Sequence, residues 1–128
     1  MSAAPRPRPK YYDLNLAHLP PAGLLSIFHR VSGALLFFPI LPLLLYALQA
    51  TLGSEAGFAR WRDFLDQPVA KLVLLGAVWL YSHHFFAGIR YLLLDLHVGI
   101  AKEASRVSAL VVFAAGIAST LLIGWRLW

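Results

Sequence analysis

The chain has 128 residues, 59% hydrophobic and 13% charged, with a formal net charge of +5 and no cysteine. Soluble domains carry about 25% charged residues, so this composition and a mean hydropathy of +0.68 exclude an ordinary soluble enzyme and point to an integral membrane protein. The lack of cysteine excludes disulfides and thiolate-held iron–sulfur clusters within this chain, and the length leaves no room for a second domain of ordinary size. The positive charge reads as a topology signal rather than a nucleic-acid footprint, because Lys and Arg at span ends set membrane orientation.

Residues 1–20 form a basic, Pro-rich arm in which Arg6, Arg8 and Lys10 alternate with Pro5, Pro7 and Pro9. It is expected to be extended, with Asp13 and Asn15 as turn formers, and to lie on the membrane surface or on a partner. The apolar run starts only after Pro20-Pro21, and no small-residue cleavage site follows a short apolar core. The first apolar segment is therefore expected to be retained, and residues 21–128 to form one transmembrane anchor domain.

The first span is expected over residues 23–52. It exceeds the roughly 20 apolar residues that crossing a bilayer needs, so its start extends into the interface with Ser26, His29 and Arg30. Pro39 and Pro42 interrupt its hydrogen-bond ladder and should bend it. Residues 53–67 are polar with interspersed aromatics and read as a short interfacial helix. The second span is expected over 68–94, a polar turn over 95–106, and the third span over 107–128. Ala114, Ala115, Gly116 and Ser119 would give the third helix a small-residue face for close packing.

Arg6, Arg8, Lys10, Lys102 and Arg106 fall on one side of this arrangement. Arg60 and Arg62 on the other side are offset by Glu55, Asp63 and Asp66. The positive-inside bias then puts the N-terminus and residues 95–106 in the cytoplasm and the C-terminus outside, with Arg126 running mildly against it. The polar residues of the three spans gather at the cytoplasmic end.

Two groups there have functional chemistry. Ser26 and Arg30 are four apart and share a helix face. A snorkelling arginine accounts for Arg30 on its own, but a hydroxyl beside a guanidinium also makes a pocket that donates hydrogen bonds to a lipid-soluble carbonyl compound such as a quinone. His83 and His84 lie deep in the second span, where ionisable groups are costly and tend to mark function, and imidazole is a usual haem ligand. Adjacent helix residues point about 100° apart, so both cannot face one ligand. His84 shares a face with Ala77, Leu80, Tyr81, Gly88 and Tyr91. His83 shares one with Gly76, Trp79, Ala87 and Arg90. Both faces carry small residues, and the pattern does not choose between them. Arg90 lies about 9 Å along the axis from His84, where a guanidinium would neutralise haem propionates. Asp95 reads as a helix-end residue or a partner of Arg90. His18 and His97 read as interfacial, and Tyr11, Tyr12, Trp125 and Trp128 as an aromatic belt. No nucleophile–base arrangement, phosphate loop or soluble carboxylate pair is present, which argues against a self-contained hydrolase or transferase.

Ser26-Ile-Phe-His-Arg-Val-Ser-Gly33, followed one span later by His84-Phe-Phe-Ala-Gly-Ile-Arg90 and Asp95, resembles the cytochrome b subunits of bacterial succinate dehydrogenase, the larger membrane anchors of respiratory complex II. The resemblance covers nearly the whole chain. It implies an all-α integral membrane protein whose three transmembrane helices form part of a haem-binding bundle with a second, smaller anchor subunit. It further implies one haem b shared between the anchors, a flavoprotein and an iron–sulfur subunit docked on the cytoplasmic face, and ubiquinone as the electron acceptor from succinate. By motif, the axial ligand of the haem iron corresponds to His84. Ser26, Ile27 and Arg30 correspond to the quinone pocket, and His29 and Arg30 to the haem propionate side. The position after Gly-Ile-Arg, often histidine in this family, is Tyr91 here, so any role of that histidine is missing. Rival readings are a fumarate reductase anchor, a haem-free structural anchor, and a small transporter or channel subunit. The last would be expected to show repeated halves or broken helices around a site, and the sequence shows no repeat.

Overall fold

Apolar helices in a bilayer gain little from burying apolar surface against each other, because lipid is as apolar as leucine. Close packing of small residues and interhelical polar contacts must hold them together, and that is the pattern found. The computed structural model describes residues 18–127. The expectations for Arg6, Arg8, Lys10, Tyr11, Tyr12 and most of the basic arm, and for Trp128, lie outside the described residues. Among the described residues the chain is helical with no strand: α1 (Pro21–Leu35), a π-turn (Leu36–Ile40), α2 (Leu41–Gly53), α3 (Glu55–Leu65), α4 (Pro68–Asp95) and α5 (Lys102–Leu127). Among the described residues three stretches are long and apolar enough to cross a membrane, Pro21–Gly53, Pro68–Asp95 and Lys102–Leu127.

Prolines place the helix starts. Pro21 and Pro68 sit in the first turn of α1 and α4, where a missing N–H is no loss and the fixed φ suits the helix. Pro42 falls likewise in the first turn of α2. Pro39 lies inside the π-turn, which closes with the Leu41 N–H donating to the Leu36 carbonyl. The interruption expected from Pro39 therefore takes the form of one widened turn, and the helix runs on through it.

The polar connection is the expected short helix, α3. Ser54 caps it, accepting from the Gly57 N–H at 3.0 Å. α3 folds back tightly on α2, and a Cβ on Gly57 would run into the Ala50 carbonyl. α4 ends in a left-handed cap. The Val98 N–H donates to the Leu93 carbonyl and the His97 N–H to the Leu94 carbonyl, with His97 at φ 61 and Gly99 at φ 78. This is the double bond pattern of a Schellman motif, with histidine where glycine is usual. The turn is short, so α5 begins at Lys102 rather than at residue 107. Its opening residues include Lys102, Glu103 and Arg106, and a hydropathy reading therefore starts the helix too late.

α4 packs against both α1 and α5. The buried stripe of α5 is Ala109, Val112, Gly116, Thr120 and Gly124. Gly116 is on it, as expected, but Ala114 is exposed. The packing face therefore runs at i, i+4 through Gly116 rather than along the contiguous run of small residues. Gly116 allows backbone-level approach, and a Cβ there would sit 3.4 Å from the His83 Cα. The Thr120 hydroxyl is satisfied within α5 by donating to the Gly116 carbonyl at 2.7 Å. Most of the large apolar side chains point outward, among them Phe37, Phe38, Leu44, Leu72, Leu121 and Leu122.

Candidate functional site

The start of α1, the end of α4 and the start of α5 meet at one end of the bundle, and this brings the residues singled out in the sequence together. The two histidines of α4 have opposite surroundings. His83 is fully buried. Its ring lies 5.5 Å from Trp79, 5.2 Å from Phe113 and 6.0 Å from Phe28, centroid to centroid, with its backbone against Gly116. Both its ring nitrogens are buried without a hydrogen-bond partner among the described residues. The His83 face, which the sequence left open to a flat ligand, is closed by α5 of the same chain.

His84 is half-buried and turned to α1. Its ring passes so close to Gly33 that a Cβ there would come within 2.8 Å of Cε1. The ring stacks on His29 at 4.3 Å and 21°. Its Nδ1 lies 3.1 Å from the His29 carbonyl oxygen and 3.2 Å from the Ser32 Oγ. A carbonyl oxygen carries no hydrogen, so the proton between it and Nδ1 belongs to Nδ1, which donates. The neutral ring then holds its lone pair at Nε2. Nε2 has no hydrogen-bond partner among the described residues and is not among the sealed unpaired atoms. A histidine with one nitrogen donating to a backbone carbonyl and the other free is the usual state of a metal-binding imidazole.

His29 fills the groove between α1 and α4. Besides His84, its ring meets Tyr91 at 5.0 Å, and its Nε2 would be 3.9 Å from a Cβ on Gly88. Gly88 and Tyr91, placed by periodicity on the His84 face, thus line the His29 side. Ser26 and Ile27 are half-buried and Arg30 is exposed. Neither the Ser26 hydroxyl nor the Arg30 guanidinium has a hydrogen-bond partner among the described residues, so both donors remain available to a ligand.

Arg90 differs from its sequence reading. It is buried and committed to α5. Its Nε donates to Ser108 Oγ at 2.9 Å, and its Nη2 donates to the Ser105 Oγ at 2.9 Å and the Ser105 carbonyl at 3.1 Å. It does not pair with Asp95, which is exposed. Asp95 is five positions further on, about 140° round the helix, whereas three serine oxygens lie directly opposite Arg90. Ser32 and Gly33, both in the motif that contains His29, also meet His84, a contact that no sequence pattern singles out.

Comparison with known proteins agrees with the motif reading. The family model for the succinate dehydrogenase/fumarate reductase transmembrane subunit matches residues 4–123. The succinate dehydrogenase cytochrome b556 subunit of Coxiella burnetii is 36% identical, over 94% of this chain and 97% of the relative. The proteins of the same description from Paracoccus denitrificans and Rickettsia felis are 28% and 25% identical, over 90% and 91% of this chain and 88% and 90% of the relatives. With its paired motifs and three apolar helices, the chain belongs to the succinate dehydrogenase/fumarate reductase transmembrane subunit family.

Proposed function

We propose that this multi-pass membrane protein is the haem-carrying anchor of a succinate:ubiquinone oxidoreductase in a bacterial inner membrane. In this reading the N-terminus and the turn after α4 are cytoplasmic and the C-terminus is periplasmic. The chain would dock an iron–sulfur subunit and a flavoprotein on the cytoplasmic end and share one haem b with a second, smaller anchor, which supplies the other axial histidine.

The observation that carries the reading is the state of His84: Nδ1 bound to the His29 carbonyl and Ser32, and Nε2 free in a half-buried ring. These residues fit an axial ligand, and His83, sealed on all sides, does not. His84 would hold the iron, and His29 and Arg30 would lie on the propionate side. Bound haem b would supply a one-electron redox centre. Ser26, Ile27 and Arg30 form the proposed rim of the quinone pocket. The Ser26 hydroxyl and the Arg30 guanidinium donate to a quinone carbonyl oxygen and stabilise the negative charge that gathers there on reduction. With no cysteine in the chain to hold an iron–sulfur cluster, succinate oxidation in this reading falls to the partner subunits.

The test is a reduced-minus-oxidised optical spectrum of the chain purified gently with its native partners. A b-type signal developed by succinate supports the reading. An intact assembly without haem would reduce the chain to a structural anchor.

A further inference from the structure

Three oxygen and nitrogen atoms at the α1–α4 contact form a closed triangle. Ser32 Oγ donates to the His29 carbonyl at 3.0 Å, His84 Nδ1 lies 3.1 Å from that same carbonyl, and Ser32 Oγ lies 3.2 Å from His84 Nδ1. The hydrogens can be placed by elimination. The carbonyl has none, so Nδ1 keeps its proton, and the hydroxyl hydrogen is used on the carbonyl. What Ser32 turns toward His84 is therefore a lone pair. Ser32 is 1% exposed, so water does not compete for this arrangement.

We infer that Ser32 is a positioning residue for His84: its buried hydroxyl, as second acceptor of the Nδ1 proton, fixes the ring orientation and raises the electron donation of Nε2 to bound iron. The inference rests on the proposed role of His84 as haem ligand. A proton held between two oxygens leaves more electron density on the imidazole than a proton held by one. Partners of this kind orient metal-binding histidines and tune their basicity. The bland alternative is that Ser32 only bonds back to its own helix, as serines in apolar helices do. That habit accounts for the 3.0 Å contact but not for the second one, which crosses to another helix.

The assembled complex should be purified from its membrane with the wild-type, Ser32→Ala and Ser32→Thr chains. Haem content, the equilibrium potential of the b-type band and the electron paramagnetic resonance spectrum of the ferric haem are then compared. Ser32→Ala should keep haem and shift the ferric/ferrous ratio at fixed potential up to about tenfold toward ferrous, which is about 59 mV upward for a one-electron couple. Its ferric resonance should change as well, and Ser32→Thr should restore both signals. Haem loss from Ser32→Ala but not from Ser32→Thr, with succinate oxidation by a soluble acceptor retained, also supports the inference. Full haem with unchanged potential and resonance in Ser32→Ala overturns it while leaving His84 as ligand. A wild-type complex without haem overturns the ligand reading itself, and the inference with it.

Discussion

Gly33 of α1 lies against the imidazole of His84 on α4, at a separation that leaves no space for a methyl group: the Cβ of an alanine there would stand 2.8 Å from Cε1 and 3.4 Å from Nδ1. The ring cannot swing away freely, because its Nδ1 is bound to two oxygens of the same α1 segment. Gly33→Ala should therefore displace the ring, even though alanine favours a helix by about 1 kcal/mol over glycine. We expect haem per flavin in the purified complex to fall about tenfold, the lower range for disturbed ligand positioning, with the helical circular-dichroism signal unchanged. Undiminished haem would mean that α1 and α4 can separate there without consequence.

Replacing each histidine of the pair with leucine tests their different surroundings. His84→Leu removes the free Nε2 and should abolish the normal b-type spectrum. His83→Leu removes two buried nitrogens that have no partner among the described residues. An unsatisfied buried polar group costs about 1–3 kcal/mol, so this variant should keep its haem and lose no thermal stability. The opposite ranking of the two spectra would transfer the ligand role to His83.

The unpaired donors of Ser26 and Arg30 should matter for quinone and not for succinate. Loss of a hydrogen bond from a charged donor costs about 1.5–3 kcal/mol, so Arg30→Ala should slow succinate–quinone turnover about tenfold to a hundredfold. Ser26→Ala, losing a neutral donor, should have a smaller effect in the same direction. Succinate oxidation measured with a soluble electron acceptor should persist in both. If both activities drop together, the substitution has damaged assembly and these residues are not at the quinone.

Arg90 joins α4 to α5 through three hydrogen bonds to Ser105 and Ser108. Interhelical bonds in membranes average about 0.6 kcal/mol and reach about 1.7. Arg90→Gln should therefore lower the thermal stability of the detergent-solubilised complex by about 1–3 kcal/mol and leave the haem potential where it was. A shifted potential with unchanged stability would return Arg90 to the propionate role that its axial position first indicated.

Much of the molecule was legible without coordinates. Twenty or more apolar residues in a row specify a span whatever surrounds them, because the cost of unpaired backbone in lipid allows nothing but helix. Three spans, a short helix within residues 53–67, found at Glu55–Leu65, and the gathering of Ser26, His29, Arg30, His84 and Arg90 at one end follow from length, composition and alternation of direction. The paired motifs around His29 and His84 identified the family, since short motifs are local in sequence. Periodicity could place His83 and His84 on different faces, but which face another helix covers is a property of packing between distant segments. Only the tertiary structure walls in His83 with Phe28, Trp79, Phe113 and Gly116 and leaves His84 open with a bound Nδ1. It alone brings Ser32 against His84 across 52 residues of chain and Gly33 beside the same ring, and it turns Arg90 from Asp95 to the serines of α5. Hydropathy reports the affinity of each segment for lipid. It does not record which small residues let two backbones approach, and at this bundle end that approach determines which polar atoms meet.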